Sequence, residues 1–361
     1  MDISIIVPTM NRPKMLLRLI RYFDALGFRG KLLVGDSSDA AIFQEAAIAL
    51  ENYRNHLDIQ HLYLPGHSVA AAVKELNEYA NTRFVCLVPD DDFVVPKTMA
   101  KCIQFLDRHL DYVAAHGIGA LISSSGDSGA IDNASFYAQT IADDRTAETR
   151  LSKHLEHYSV SLFSVYRLDT WRQMFIDIPA PSELPQCCDK AFVDELLPCC
   201  LSVIYGKIKQ IDGLHVVRQV HGGRYLLPAW FLWFTNANWH PSYLYFRSRL
   251  AQAISREDGI AISRAESIVD RSFATYLKKW IADEGPKSHW LRRFAGNSQT
   301  LRLMWRFVND VRDRMQPGRR LSLACLLSPS SPYREEFLPV FNAVVGGGAG
   351  ANEATDLDQM Y

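Results

Sequence analysis

The chain has 361 residues, 48% of them hydrophobic and 22% charged, with 39 Lys+Arg against 40 Asp+Glu for a formal net charge of −1. A hydrophobic fraction of that size builds a core, so the composition excludes a disordered chain and fits one large domain with an elaboration, or two domains. No overall basic excess marks a nucleic-acid binder, and no run of about 18 apolar residues marks a membrane span.

The first residues run directly into Ile3-Ser4-Ile5-Ile6-Val7-Pro8, a buried strand in place of a basic leader with a cleavage site. Seven cysteines form an odd set without CxxC pairs, and the adjacent pairs Cys187-Cys188 and Cys199-Cys200 suit apolar packing. A reducing, cytoplasmic setting is expected.

The spacing of apolar residues predicts a helix over Arg12 to Leu26, a strand over Lys31 to Gly35 and a helix over Ala40 to Asn52. A strand over Leu57 to Leu64, a helix over Ser68 to Ala80, a strand over Arg83 to Val88 and a helix over Lys97 to Leu110 follow. Such alternation builds a parallel sheet flanked by helices, with ligands at the carboxyl ends of the strands. Ser123 to Asn133 is a surface loop. Tyr158 to Arg167 is a strand, Asp169 to Ile176 a helix, Asp189 to Tyr205 a helix with Asp189 at its N-cap, and a further strand starts at Gly206. Beyond about residue 240 the pattern is helical and amphipathic, and a Gly-rich tail begins at Gly346. The expected organisation is a sheet domain over 1–223, a mostly helical extension over 224–345 and a disordered tail over 346–361.

Polar strand ends carry the functional signal. Strand one ends in Pro8-Thr9-Met10-Asn11-Arg12-Pro13, strand two in Asp36-Ser37-Ser38-Asp39, and the fourth in Pro89-Asp90-Asp91-Asp92-Phe93. In extended backbone Asp90 and Asp92 project to one side, about 6 to 7 Å apart. That arrangement suits a hard divalent cation, whose charge relieves the repulsion among three adjacent carboxylates. The alternative is a solvated acidic turn capping the helix that begins near Lys97.

These motifs, "ISIIVPTMNRP", "LLVGDSSD", "GHSVAAAVKELNEYANTRF" and "VCLVPDDDFVVP", together resemble nucleotide-sugar-dependent glycosyltransferases of the GT-A fold, family 2 type. The likeness is to a bacterial subgroup with DDDF in place of the usual D-x-D. It covers about residues 1 to 110 and continues more weakly through Tyr166-Arg167 and "GKIKQIDGLHVVRQVHGG". It implies a Rossmann-like, mixed but mostly parallel sheet. It also implies that Pro8, Thr9 and Asn11 line the nucleotide pocket, that Arg12 meets phosphate, and that Asp36 accepts hydrogen bonds from the base. Asp90 and Asp91 would face the ribose and the metal, Asp92 would ligate Mn²⁺ or Mg²⁺, and Lys74 would approach the diphosphate. For Asp36 a plain turn acid, and for Lys74 a solvated helix face, are the alternatives.

An inverting transfer needs a carboxylate base, which related enzymes draw from an acidic motif at a helix start about a hundred residues on. The matching window here lacks the usual Glu-Asp pair. Asp189 is the first candidate and Asp194 the second, with an N-cap for Asp189 and a surface pair for Asp194 and Glu195 as alternatives. Arg218 and His221 fall after the strand "GLHVV", and His221 would complete the metal shell. Nine aromatics between Tyr225 and Phe246 would form an acceptor platform or, more simply, core. Lys287 to Arg320 holds nine basic and two acidic residues, a local charge of +7 that leaves −8 for the rest of the chain. With Trp290 and Trp305 on its apolar side this stretch reads as a surface for an anionic membrane or as a helix packed on the domain.

The function expected is transfer of a sugar from a nucleotide-diphosphate donor, UDP-sugars favoured, to a glycan or lipid-linked acceptor in surface-polysaccharide assembly. The site would lie in the cytoplasm or at the inner face of the membrane, with no nucleic-acid partner. Rival readings are a sugar nucleotidyltransferase, whose glycine-rich phosphate loop is missing from Pro8 to Pro13, and a non-catalytic assembly scaffold.

Overall fold

A computed structural model describes residues 1–124, 130–179, 183, 192–220, 239–284 and 321–346. Strand β1 (Ile3–Thr9), helix α1 (Pro13–Ala25), β2 (Lys31–Asp36), α2 (Ala40–Leu50), β3 (Asp58–Tyr63), α3 (Val69–Leu76) and β4 (Phe84–Leu87) alternate as their periodicities predict. The chain continues through β5 (Phe93–Val94), α4 (Pro96–Arg108), β6 (Tyr112–Ser124), β7 (Ile131–Tyr137), α5 (Ala147–Glu156), β8 (Val165–Arg167) and α6 (Leu168–Phe175). A π-helical turn over Phe192–Leu196 leads into α7 (Leu197–Tyr205), then β9 (Lys207–Val220), α8 (Trp239–Asp258), α9 (Ile262–Glu284), α10 (Leu323–Leu327) and α11 (Arg334–Gly346).

The strands form one mixed sheet in the order β3-β2-β1-β4-β8-β6-β9-β5, with β7 on β6. It is parallel across β3-β2-β1-β4 and again between β6 and β9. Strand β8 is the antiparallel hinge between those halves. Alternate residues of β1 enter two cores: Ile3, Ile5 and Val7 pack with α1, α4 and α11, whereas Ile6 packs with α3, α6 and α7 on the other face. Covering by helices on both faces explains why the central parallel strands β1, β2 and β4 are apolar almost throughout.

Several segments depart from the sequence expectation. Strands β6 and β7 occupy ground where only a loop over Ser123 to Asn133 was expected, and α5 was not anticipated. Their Ala, Gly and Ser content hides strand propensity, and the ladder with β9 supplies the stability. Within that ladder a Cβ on Gly117 would lie 2.2 Å from the carbonyl oxygen of Gly213, which itself adopts φ +123°, so both positions need glycine. The strand expected over Tyr158 to Arg167 is confined to Val165–Arg167, because Ser164 closes a turn on Ser161.

The C-terminal helices share the cores of the sheet. Helices α8 and α9 pack against α5 and α7, and Phe246 and Phe273 join the same cluster as Trp171. Both carboxylate oxygens of Asp258, the last residue of α8, accept from the Ala147 and Glu148 N–H groups at the start of α5, 2.8 Å each. Glu336 of α11 accepts from Leu214 N at 2.7 Å. Cys86, Cys102, Cys199 and Cys200 are free and buried, as apolar packing requires. Among the described residues no helix is long and apolar enough to cross a membrane.

Candidate active site

The carboxyl ends of β2, β1 and β4 lie side by side in the sheet, so their loops meet. Pro8 pairs with Gly35 and Thr9 with Asp36 across β1 and β2. Asn11 sits at φ +55°, a left-handed conformation that its short amide tolerates. In that pose its N–H donates to Ser38 Oγ at 2.6 Å, and its Oδ1 accepts from Asp39 N at 3.0 Å, which ties the two loops together.

Asp36 is buried at the end of β2. Its Oδ1 accepts from Ser38 N at 2.9 Å and its Oδ2 faces His61 Nε2 at 3.0 Å. Burial pushes the Asp36 carboxyl up, but the hydrogen bonds from His61 and Ser38 outweigh it and hold the group below the ordinary carboxylate range. His61 in turn stacks obliquely on Phe43, whose other neighbour is the half-exposed ring of Tyr63. The pair of His61 with Asp36 carries no signal in the sequence beyond the alternation of β3.

The acidic stretch is a turn. Asp92 N donates to Pro89 O at 3.1 Å, an i to i+3 bond that ends the extended backbone, so the expected projection of Asp90 and Asp92 to one side does not occur. The solvated-turn alternative is also excluded, because Asp90, Asp91 and Asp92 are at most 6% exposed. Arg12 serves Asp90 and Asp91 together, and Arg218 serves Asp92. Asp90 Oδ2 accepts from Thr9 Oγ1 at 2.7 Å, and Asp90 Oδ1 lies 3.3 Å from Arg12 Nη2. Asp91 Oδ2 accepts from Arg12 Nη1 at 2.9 Å. Asp92 Oδ2 accepts from Arg218 Nε at 2.8 Å, and its Oδ1 accepts from Gln219 N at 2.9 Å.

A third guanidinium, Arg18 of α1, donates to the Asp91 carbonyl at 3.4 Å and rests over the Phe93 ring. Three carboxylates are thus balanced by Arg12, Arg18 and Arg218. Burial dominates at Asp90 and raises its pKa to about 7 against the pull of Arg12 and the Thr9 hydroxyl. Burial likewise raises Asp92, opposed by Arg218. Arg218 is penalised by burial, but Asp92 and Tyr137 more than restore its charge.

Arg218 is held on three sides. Its guanidinium lies 4.5 Å from the Phe163 ring centroid and 5.2 Å from that of Tyr137, and Nη1 donates to the Tyr137 hydroxyl at 3.1 Å. It belongs to β9, whereas the sequence pattern places it after that strand. Its placement depends on β6, β7 and the 158–164 segment, none of which the sequence delineates.

Among the described residues the donor set does not suit a cation at Asp92. Both oxygens of that residue are engaged, and among the described residues no group of three or more His, Cys, Asp or Glu side chains assembles that could cage a metal ion. Asp90 Oδ1 makes no hydrogen bond among the described residues, though Arg12 Nη2 lies 3.3 Å from it.

Other expected residues fall elsewhere. Lys74 donates to Ile178 O at 2.7 Å, securing the segment after α6. Asp194 is buried, not on a surface, and its Oδ1 accepts from Ala70 N at 3.0 Å in the first turn of α3. Glu195, its neighbour, accepts from Tyr158 Oη at 2.9 Å. Burial raises the Glu195 pKa, while Tyr158 and the field of Arg218 pull it down. Asp189 and His221 lie outside the described residues, as do Cys187 and Cys188, the aromatics from Tyr225 to Phe234, the basic stretch 287–320 and the tail from 347. Of the described aromatics in the expected platform, Trp239 and Phe246 pack around Phe192 and Phe273, and Tyr243 stacks on Phe273.

Thus the fold and the polar strand ends define an α/β protein with a buried acid and guanidinium cluster at the carboxyl edge of its sheet. Residues 4–170 match the family described as glycosyl transferase family 2, a stretch that holds every residue of the cluster except Arg218 and Gln219. The chain is similar to solved structures of S. aureus TarS. One is 18% identical with a TM-score of 0.49, covering 76% of this chain but 43% of that one, so the chain spans less than half of that relative's length. A second, TarS 1–349 in complex with UDP-GlcNAc, is 16% identical with a TM-score of 0.49, covering 78% and 73% respectively. No curated protein sequence matches the chain.

Proposed function

We propose that the protein is a GT-A glycosyltransferase that moves a sugar from a nucleotide-diphosphate donor, a UDP-sugar in the first instance, to a hydroxyl group of a glycan or lipid-linked acceptor, with inversion. One observation carries this reading. The stretch matching glycosyl transferase family 2 is the stretch whose loops bring Thr9, Asn11, Arg12, Asp36 and Asp90 to Asp92 to one edge of adjacent parallel strands, where open α/β sheets bind their ligands.

In this reading the Asp36 carboxylate, kept ionised by His61 and Ser38, accepts the imide N–H of the base. Arg12 and Arg218 face the diphosphate. The acceptor hydroxyl oxygen attacks the anomeric carbon while the bond from that carbon to the β-phosphate oxygen breaks. The electron pair leaves with the nucleotide, and the hydroxyl proton passes to a carboxylate of the window 189–195, Asp189 or Glu195. Asp194, engaged by the α3 N-terminus, anchors the turn Phe192–Leu196 that carries Glu195. The basic stretch 287–320 brings the enzyme to the inner face of an anionic membrane, which co-sedimentation with phosphatidylglycerol vesicles checks.

The test is release of UDP from a panel of UDP-sugars by the full chain, with nucleotide binding followed by thermal shift. Binding of at least one UDP-sugar, with D92N losing both binding and turnover, supports the proposal. Failure of every donor to bind overturns it, and binding without turnover by the parent chain favours the scaffold.

A further inference from the structure

The sequence points to a divalent cation at Asp92, yet the residues there are arranged for something else. We propose that Arg218 takes the place of that cation: its guanidinium, clamped by Asp92, binds the donor diphosphate and stabilises the charge of the departing nucleotide, so that transfer proceeds without a metal ion. This rests on the glycosyltransferase reading above.

Three observations carry it. First, both oxygens of Asp92 are already engaged, Oδ2 by Arg218 Nε and Oδ1 by Gln219 N, both under 3 Å, in a residue that is 1% exposed. A cation there would compete with a charge-assisted hydrogen bond and with a buried backbone N–H for the same carboxylate, and would sit beside the positive charge of Arg218. Second, the like charges of Asp90, Asp91 and Asp92, which would call for a divalent ion, already face guanidinium groups: Arg12 bridges Asp90 and Asp91, Arg218 pairs with Asp92, and Arg18 reaches the Asp91 carbonyl. The repulsion that motivates a metal is relieved by the protein itself.

Third, Arg218 is preorganised as an anion receptor. Its Nε is fixed by Asp92, its Nη1 by Tyr137 Oη, and its plane by the rings of Tyr137 and Phe163. Its Nη2 makes no hydrogen bond among the described residues, and the side chain remains about a quarter exposed. A guanidinium immobilised on its carboxylate edge and open at its far nitrogen meets a phosphate oxygen with little further loss of side-chain freedom. Arg12, which bridges Asp90 and Asp91 and is similarly exposed, supplies the second contact.

The negative charge that develops as the bond from the anomeric carbon to the β-phosphate oxygen breaks is then received by fixed N–H donors, the role a metal ion would otherwise fill. The position of Arg218 beyond residue 170 explains why a family pattern confined to residues 4–170 does not register it.

Calorimetry on the full chain, with UDP and with uridine as probes, in EDTA and in excess Mn²⁺, tests the proposal. The expected result in EDTA is UDP binding at least tenfold tighter than uridine, shifted less than threefold by Mn²⁺. R218K keeps a charge but lacks the planar fork. The paired variant R218Q/D92N removes both buried charges together. Each is expected to lose the tenfold preference for UDP while its uridine affinity stays within threefold. UDP binding that appears only with Mn²⁺, or a preference for UDP that survives in both variants, overturns the role of Arg218 and leaves the glycosyltransferase reading intact. Absence of UDP binding in both media overturns both. If the variants do not fold, the EDTA and Mn²⁺ comparison on the parent chain decides.

Discussion

The Nε of Arg218 donates to Asp92 Oδ2 at 2.8 Å across 126 residues of chain, joining the end of β9 to the turn that follows β4. Removing one partner of a buried ion pair strands the other. R218M therefore destabilises the fold by about 2 kcal/mol, discounted from the ~3–5 kcal/mol of a fully buried pair because Arg218 keeps some solvent. R218Q/D92N costs less than R218M alone. Urea unfolding of the three chains measures both values.

Asp90 has a pKa of about 7 in the folded protein, raised by burial. Between the unfolded carboxylate pKa near 4 and this value, the folded chain holds a proton that the unfolded chain has lost. The contribution of Asp90 to stability thus falls as pH rises from about 4 to 7 and is flat above. D90N removes that slope, so the difference in melting temperature between D90N and the parent moves in favour of D90N from pH 5 to pH 8. A difference that stays constant over that range contradicts the assignment.

Asp194 is read as a tertiary cap on α3, where Ser68 already accepts from Ala71 N. D194A leaves Ala70 N without its partner and removes an anion from the positive end of the helix. A loss of about 1 to 2 kcal/mol in urea unfolding is expected.

His61 holds Asp36 in its ionised, oriented form. H61F fills the space against Phe43 but takes away the donor, so the Asp36 pKa rises toward the ordinary range and above. Uridine affinity is expected to fall roughly tenfold, the value of one charge-assisted hydrogen bond, with the deficit growing as pH is lowered. Uridine titration at pH 6 and 8 checks this.

The proton acceptor is sought by comparing D189N with E195Q. The variant that lacks the base loses about 10² to 10⁴ in kcat with little change in the KM for the donor. Glu195 sits on Tyr158, so E195Q retains a hydrogen bond there and folds.

The alternation of short apolar strands with amphipathic helices made β1 to β4 and α1 to α4 readable, because both core-facing patterns are local. The gathering of Asp36 and Asp90 at one edge followed from strand polarity alone. What could not be read were contacts whose partners are far apart in the chain. Arg218 owes its role to Asp92, Tyr137 and Phe163, and Tyr137 lies on β7, a strand of mixed residues that pairs with β6 and packs against α10 and α11. The turn at Pro89 to Asp92 defeats the period-two argument for Asp90 and Asp92, since one i to i+3 hydrogen bond redirects the carboxylates. Asp194 was legible as an acid of interest, but its engagement with Ala70 was not.

Strand β9 pairs with β6 in parallel and with β5 antiparallel, and its last residues deliver Arg218 and Gln219 to Asp92. Closing a chain segment of that length carries an entropic cost that is met only when the whole ladder forms. During synthesis the half holding Asp36 and Asp90 to Asp92 emerges well before its counter-charge. A nascent chain stopped short of residue 218 would carry the acids without the guanidinium that balances Asp92. The acid and guanidinium cluster is therefore completed in one step, late, when β9 docks.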